Sequence, residues 1–351
     1  MRTIAILAGI LVGVLAGQTT NAEMLSYAVR DLGAVTGSVT AISHNGDAVG
    51  FYWNSSGKTQ SFLKNVGGSQ VDIGSPGSAA VGINNVGQVL FNAHNPIIWT
   101  VAGARQLGPL TGDASATAGS LNDSGQAVGG SYGDLQHVRA VLWQADGTAL
   151  ALDPLVSDRQ SAASRINNLG QSAGTAEDSS GLWHTVWWNQ SGRITELAPV
   201  AGYASGAALA ISATRQVIGS VRNDHGPAHA AAWSSSGSSG LLAELPGTVS
   251  SGVMAVNDAG LVVGHCYDTN QLRQAVVWNT DGAVMALQAL AGGTTTWAKT
   301  ITDTGVVFGT SNDSAGNEHV VMWTPVAEPS SLLALAASVV GFGAITIRRR
   351  R

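Results

Sequence analysis

A short motif recurs seven times along the 351-residue chain, and this periodicity constrains the fold more than any other feature. Each copy has an apolar residue, a small polar residue, two variable residues and a marker position that is glycine in six copies. The marker falls at residues 46, 87, 125, 170, 215, 260 and 305, so the spacings are 41, 38 and then 45 throughout. In the last five copies a tryptophan lies 18 residues after the marker: Trp143, Trp188, Trp233, Trp278 and Trp323. Two markers in phase indicate tandem copies of one structural unit.

Three copies depart from the pattern, each in one place. Trp99 follows Gly87 by 12 residues, which shortens a loop of the second copy. Leu63 stands near the tryptophan position of the first copy, and Arg215 replaces the glycine of the fifth. Because the rest of the motif is kept in each of these copies, the number of repeats is still seven.

Each copy reads as four short strands. The first carries the motif, as in residues 163–167, and the second is apolar, as in 261–264. The third ends at the tryptophan, as in 275–278, and the fourth is short, as in 195–197. An Asn/Asp-x-x-Gly turn supplies the left-handed backbone position that a tight hairpin needs. Four strands in roughly 40–45 residues are typical of a propeller blade.

The two ends of the array complement each other. After Trp323 the seventh copy lacks a fourth strand, whereas the chain begins with an unpaired segment, Tyr27 to Leu32. In that segment Asp31-Leu32-Gly33 matches Asp72-Ile73-Gly74 of the first copy. If residues 27–33 complete the last blade, neither end of the array leaves an open sheet edge. We therefore predict an all-β fold, a seven-bladed β-propeller of four-stranded blades whose last blade is closed by the N-terminal strand.

Composition agrees with turn-rich β structure and argues against two classes of function. Charged residues make up 11% of the chain and glycines number 45, which disfavours long helices. Residues 23–327 hold 12 Lys and Arg against 21 Asp and Glu, a net charge of −9, so we expect no nucleic-acid partner. The single cysteine, Cys266, excludes an internal disulfide and a multi-cysteine metal site.

The N-terminus has the parts of a secretory signal peptide. Arg2 precedes an apolar run from Ile4 to Leu15, and small polar residues lead to Ala22. A basic tip, a short apolar core and a small residue at the cleavage point define such a signal. We assign residues 1–22 to the signal peptide and expect export, although a buried N-terminal helix is the alternative.

The C-terminus is also tripartite. Glu328-Pro329-Ser330-Ser331 leads into an apolar segment, residues 332–347, which ends in four arginines. This tail resembles the PEP-CTERM sorting signal of Gram-negative bacteria, although the first proline of the Pro-Glu-Pro motif is replaced by Ala327. The resemblance implies an exosortase-type processing partner, a sorting motif at Glu328 and Pro329, transient anchoring in the inner membrane by a transmembrane helix, and an extracellular or cell-surface address. A plain C-terminal anchor is the alternative.

The repeats between the two ends, residues 23–325, resemble the HAF family of extracellular repeats, named for a His-Ala-Phe-x-Trp strand. The matching histidines lie four residues before three of the tryptophans: His184, His229 and His319. The resemblance implies export and a surface role, but no reaction. Residues 326–351 form the separate sorting region.

Aromatic residues concentrate on one face of the predicted propeller. We call the face with the connections after the second and fourth strands the loop face, and the opposite one the turn face. The loop face holds the aromatic residues that we predict to bind ligand: Tyr52, Trp53, Tyr132, Trp183, Tyr203, Tyr267 and Trp297. It also holds polar residues: Asp134, Asp178, Asp224, His225, Asp268 and Asp313. Aromatic rings beside carboxylates can stack on and hydrogen-bond sugars. Alternatively, the rings cover blade edges and the aspartates form turns.

Two functions are compatible with these features. We expect an exported, non-catalytic surface or matrix propeller that binds polysaccharide or another matrix protein. The alternative is an extracellular hydrolase or lyase that acts on polysaccharide, since propellers also house enzymes. No catalytic, metal or cofactor site is predicted, because equivalent histidines in a ring do not converge on one point and no pair of carboxylates stands out.

Overall fold

The computed structural model describes residues 26–75, 77–134, 137–223 and 226–326. These residues form 28 strands, numbered β1 to β28 in chain order, in seven four-stranded antiparallel sheets. The compact unit spans Tyr27–Pro325. The predicted seven-bladed propeller is therefore confirmed.

The first strand of each blade lines the centre of the ring. These strands are β2 (Ser38–Ile42), β6 (Ala79–Ile83), β10 (Ser115–Leu121), β14 (Ser161–Ile166), β18 (Ser205–Ile211), β22 (Thr248–Val256) and β26 (Thr296–Ile301). The second strands are β3 (Ala48–Trp53), β7 (Val89–Asn92), β11 (Ala127–Asp134), β15 (Ser172–Glu177), β19 (Val217–Arg222), β23 (Val262–Asp268) and β27 (Val307–Asn312).

The third strands carry the tryptophans of the repeat. They are β4 (Thr59–Lys64), β8 (Ile97–Thr100), β12 (His137–Trp143), β16 (Trp183–Trp188), β20 (His229–Trp233), β24 (Arg273–Trp278) and β28 (Glu318–Val326). The outer strands of blades one to six are β5 (Gln70–Ile73), β9 (Gly103–Gln106), β13 (Ala149–Ala151), β17 (Ile194–Glu196), β21 (Ser239–Leu241) and β25 (Val284–Ala286).

The seventh blade takes its outer strand from the start of the chain, as predicted. Strand β1 (Ser26–Ala34) lies beside β28, in the order β1-β28-β27-β26. The imidazole of His319 contacts the Asp31 carboxylate at 3.0 Å, which ties the third strand to the closing strand. After β1 the chain is held to the first blade, because Thr36 and Gln70 exchange two hydrogen bonds.

The asparagine of the repeated motif both forms its own turn and joins its blade to the next. The Oδ1 atom of Asn84 accepts a hydrogen bond from the backbone N–H of Gln88, four residues later at the other end of the turn. Its Nδ2 donates to the carbonyl of Asn122 in the following blade. The same link runs from Asn122 to Asn167, from Asn167 to Ser212 and from Asn257 to Thr302. Because both ends of each amide are used, the motif encodes ring geometry as well as a hairpin.

The repeated tryptophans join blades three to seven each to the blade before it. All five are buried, and each Nε1 donates to a backbone carbonyl 35 residues earlier, at 2.5–2.7 Å. Those carbonyls follow the outer strand of the preceding blade: Gly108, Asp153, Ala198, Ala243 and Gln288. In the first blade the equivalent register position holds Lys64 rather than the neighbouring Leu63, because Lys64 pairs with Ala48 as Trp143 pairs with Ala127.

Every first strand carries a β-bulge at the same place. The unpaired residue lies six positions before the marker in each copy: Thr40, Val81, Gly119, Ser164, Leu209, Met254 and Lys299. Bulges bend a strand and redirect its side chains. Here they bring consecutive residues of each first strand to the central channel.

The proposed addresses at the two ends fall outside the described residues. These are the signal peptide (1–22), the sorting motif at Glu328 and Pro329, and the apolar segment 332–347. Within the ranges that the structure covers, no helix has the length and apolarity of a membrane span.

Candidate functional site

The aromatic residues that the sequence places on the loop face are spread over several blades. In the first blade Tyr52 donates a hydrogen bond from its hydroxyl to Asp72, and this bond raises the pKa of Tyr52. Trp53 is 70% exposed and packs edge-on against Phe51. In the third blade the Tyr132 hydroxyl lies 3.1 Å from that of Thr117. Tyr52 and Tyr132 thus have partners within their own blades.

One pair of the predicted residues meets at the junction of blades four and five. Trp183 begins β16 and Tyr203 lies in the connection between β17 and β18, and both line a shallow groove of 70 Å³. The Tyr203 ring also packs edge-on against His229 at 5.6 Å. Its lining also includes polar and apolar neighbours: Leu182, His184, Thr185, Pro199, Val200, Ser205 and Gly206. The groove therefore presents an apolar surface with hydroxyl and imidazole groups beside it.

A second pair, Tyr267 and Trp297, meets at the junction of blades six and seven around His265. The His265 ring is edge-on to both, with centroids 5.1 Å from Tyr267 and 6.2 Å from Trp297. Two cations lie over the indole of Trp297: Lys299 Nζ is 3.2 Å and Arg273 Cζ 3.9 Å from the ring centroid. A cation over an indole face is attracted by the ring quadrupole.

Burial shapes the electrostatics of this junction. Burial, opposed by the Glu318 carboxylate and reinforced by Arg273, lowers the pKa of Lys299 to about 7. Burial, with Arg273 and Lys299, lowers the pKa of His265 to about 4, so its ring is neutral at pH 7. The buried His265 Nδ1 and Trp297 Nε1 have no hydrogen-bond partner among the described residues. Such orphaned polar atoms are rare in folded proteins and mark this junction as unusual.

All seven blades contribute to a central channel, whose turn-face end is acidic. There the motif turns enclose a cavity of 380 Å³. Hydrogen bonds link neighbouring turns around it, since the N–H of one turn donates to the side chain of the next, as from Asn85 to Asp123 and from Asp123 to Asn168. Two further carboxylates, those of Asp258 and Asp303, line the same cavity.

The inner cavity lies further along the channel and is basic. Its volume is 210 Å³, and its lining includes Arg165 from blade four and Lys299 from blade seven. The apolar residues of the motif line both cavities and form a girdle between them: Ile42, Ile83, Leu121, Ile166, Ile211 and Val256. The channel is therefore acidic at one level and basic at the next.

A further depression of 530 Å³ lies on the turn face between blades five and six. Serine hydroxyls dominate its wall, at Ser234, Ser235, Ser238 and Ser239, and no aromatic side chain lines it. It offers hydrogen bonds without a stacking surface.

The loop-face aspartates form turns, as the alternative interpretation holds. Asp178, Asp268 and Asp313 each accept hydrogen bonds from two backbone N–H groups of their own loop. Hydrogen bonds, the strongest from the side chain and backbone of Asn317, lower the pKa of Asp313 to about 2. Asp224 and His225, and the side chain of Asp134, lie outside the described part of the structure.

The repeated histidines pair with carboxylates of their own blades. His184 contacts Glu196 at 2.7 Å, and His229 contacts Glu244 at 2.8 Å. Each of these carboxylates lies at or just after the outer strand of the same blade. Among the described residues, no group of three His, Cys, Asp or Glu side chains is placed to hold a metal ion.

Four residues of these sites were not identified from the sequence: Arg165, His265, Arg273 and Lys299. Aligning the copies on the marker would have found Arg165 and Lys299, since both are cations at positions where every other copy has a neutral residue. Their common cavity depends on the ring and on the bulges, neither of which can be read from residue types.

Comparison with known proteins supports the fold alone. No protein-family model and no curated protein matches the chain. Virginiamycin B lyase from Staphylococcus aureus is similar in structure, with TM-score 0.51 and 11% identity over 86% of this chain and 100% of that one. Puromycin hydrolase matches with TM-score 0.57 and 12% identity, over 83% of this chain and 52% of that one.

The propeller domain of the Trilobed protease from Pyrococcus furiosus is also similar. Its TM-score is 0.54 and its identity 10%, over 81% of this chain and 94% of that one. That domain has an open velcro topology. The present chain differs in that β1 completes its last blade.

Proposed function

We propose that the protein is an exported, non-catalytic β-propeller that binds polysaccharide at the loop-face groove between blades four and five. The observation that carries the proposal is the meeting of Trp183 and Tyr203 in one groove. Their partly exposed rings come from consecutive blades and share a lining with exposed Leu182. Two aromatic rings in an open groove offer an apolar surface to the C–H faces of a sugar.

The polar groups of the groove complement this surface. The hydroxyl of Ser205 lies beside the rings and can accept a hydrogen bond from a sugar hydroxyl, whereas both ring nitrogens of His184 are already paired with carboxylates. His184 is itself oriented by Asp178 and Glu196, at 3.1 and 2.7 Å. A groove of this depth accommodates a chain that passes across it rather than an enclosed small molecule. Trp53, on the same face in blade one, is a separate contact available to a long polymer.

Export and surface sorting form the second part of the proposal. The N-terminal segment 1–22 directs export, and an exosortase-type enzyme processes the chain near Glu328 and Pro329 after transient anchoring. Replacing Glu328 and Pro329 with alanine should leave a full-length chain in the inner-membrane fraction. Release of this variant at the wild-type rate would contradict processing at the motif.

Binding is tested on a glycan array with the purified mature protein. We expect wild type to bind a subset of polysaccharides, and Trp183→Ala/Tyr203→Ala to lose at least about tenfold in affinity. Ser235→Ala is the matched control, because Ser235 lines the serine-rich depression on the opposite face. Equal binding by the double variant and wild type would remove the groove as the site.

Two other outcomes distinguish competing functions. Shortening of a bound polysaccharide during incubation with wild type would replace the proposal by the hydrolase or lyase function. Binding of a matrix protein, rather than any glycan, through the same two side chains would retain the groove but change its partner.

A further inference from the structure

Comparison among the seven blades identifies two residues that break the repeat inside the channel. Arg165 directly follows the bulge of β14. The equivalent residues of the other blades are small: Ala41, Gly82, Ser120, Ala210, Ala255 and Thr300. A long cationic side chain at this position is not needed to build a blade, because six blades form without one.

Lys299 occupies the bulge itself in blade seven. The same position in the other blades is neutral: Thr40, Val81, Gly119, Ser164, Leu209 and Met254. Arg165 and Lys299 come from blades three apart in the ring, yet both line the inner cavity. The two departures from the repeat therefore converge on one space.

Neither cation is neutralised by a carboxylate contact. Lys299 is 8% exposed, its Nζ lies 3.2 Å from the centroid of the Trp297 ring, and it makes no hydrogen bond or ion pair in the described structure. Arg165 is half-buried, and its Nη1 donates to the carbonyls of Gly119 and Ser164, at 3.2 and 2.9 Å. No acidic side chain lines the inner cavity. Burying charge without a counter-charge is costly, so an arrangement that holds two cations at one cavity is typical of a site for an anion.

We propose that the inner cavity binds a small organic carboxylate. The planar guanidinium of Arg165 matches the two oxygens of a carboxylate, and the ammonium of Lys299 supplies a second charge. Hydroxyls of Thr40, Ser120 and Thr300 line the same cavity, and the apolar girdle borders it. Its 210 Å³ is below the roughly 300 Å³ at which pockets for drug-sized ligands begin, so the ligand is small. The apolar lining favours an organic anion over inorganic phosphate.

The charges around Lys299 make this binding pH-dependent. Glu318 on β28 favours the ammonium form, whereas Arg273 on β24 opposes it, and His265 on β23 is neutral near pH 7. Since the pKa of Lys299 lies at about 7, we expect affinity to fall as pH rises above neutrality. A bound carboxylate stabilises the ammonium form and shifts this fall to higher pH.

The test titrates the intact mature chain with D-glucuronate by calorimetry at pH 6 and pH 8. D-glucose is the neutral counterpart, and inorganic phosphate is the anion without an apolar body. The variants Arg165→Ser and Lys299→Met introduce residues that blades three and six already carry at these positions, so the fold should tolerate them. Arg193→Ser and Lys58→Met remove one positive charge each from exposed turns and serve as controls.

We expect glucuronate to bind and glucose not to bind. Arg165→Ser and Lys299→Met should each weaken glucuronate binding about tenfold or more, whereas the controls should stay within about twofold. Binding of phosphate without glucuronate would overturn the assignment of the ligand class. Absence of anion binding, or equal binding by the channel variants and controls, would overturn the site. The proposal does not depend on the groove between blades four and five, so either can fail alone.

Discussion

At the residue scale, Arg215 shows what the marker glycine does. Its φ is 65°, in the left-handed region where the six marker glycines have φ between 73° and 88°. An L side chain there costs of order 1 kcal/mol, whereas glycine is unstrained but loses more chain entropy on folding. The arginine also lies near Trp187, at 5.9 Å from the ring centroid. The fifth copy thus keeps the turn conformation although an arginine replaces the marker glycine of the other six copies.

We predict that Arg215→Gly stabilises the protein. Relief of the left-handed strain should exceed the entropy cost and the weak ring contact, for a net gain of about 0.5 kcal/mol. Urea denaturation measures this as a higher midpoint with an unchanged slope. A lower midpoint would show that the contact with Trp187 outweighs the strain. Gly260→Arg, which makes the reverse change in the next blade, should destabilise.

Lys299 gives the fold a defined response to pH. Its folded-state pKa is about 7 and its unfolded value near 10.5, so between these values the unfolded chain binds more protons. Stability of the wild type should therefore rise from pH 7 towards pH 10 relative to that of Lys299→Met, by on the order of 2 kcal/mol at pH 9. Chemical denaturation of both proteins at several pH values gives this difference, in which the other titrating groups cancel. Parallel stability curves would contradict a buried, depressed lysine.

At the scale of the element, the third strand couples adjacent blades through its tryptophan. Trp188 is buried and donates to the Asp153 carbonyl at 2.7 Å, whereas the neighbouring Trp187 is partly exposed. Trp188→Phe removes the donor and leaves a poorly filled space, so we expect a loss of about 1–3 kcal/mol.

Trp187→Phe is the matched control for this prediction. It alters the same strand by the same change of ring, and we expect less than about 1 kcal/mol of destabilisation. Thermal denaturation of both variants ranks them. Equal effects would mean that the hydrogen bond to the preceding blade contributes little.

The sequence predicts these elements well because their determinants are local and repeated. The asparagine turn, the glycine with positive φ and the tryptophan recur at fixed spacing, so strand count, blade count and faces follow from periodicity. The radial position of a side chain does not, because it depends on the bulges and the ring. The hydrogen bonds that Tyr52 and Tyr132 make within their own blades, and the place of Lys299 at the channel, therefore do not follow from the sequence.

At the scale of the whole molecule, the ring closes between blades seven and one, a junction without the tryptophan hydrogen bond that joins each of blades three to seven to the blade before it. In five blades a tryptophan bonds to the chain after the preceding outer strand. Between the seventh blade and the first, the equivalent residue is Lys64, which donates instead to Gly68 of its own blade at 3.0 Å. The two hydrogen bonds between Thr36 and Gln70 and the contact of His319 with Asp31 secure the closing strand.

Both proposed sites depend on closure of this junction. The inner cavity is lined by all seven blades, and the loop-face groove requires that adjacent blades keep their positions in the ring. Hydrogen exchange of residues 27–34 in the purified protein, followed by mass spectrometry, measures closure directly. We predict that amides of β1 that pair with β28 exchange as slowly as those of β5 and β25, the outer strands of other blades. Exchange of β1 at the rate of an unstructured peptide, while β28 stays protected, would contradict the closed seven-bladed ring.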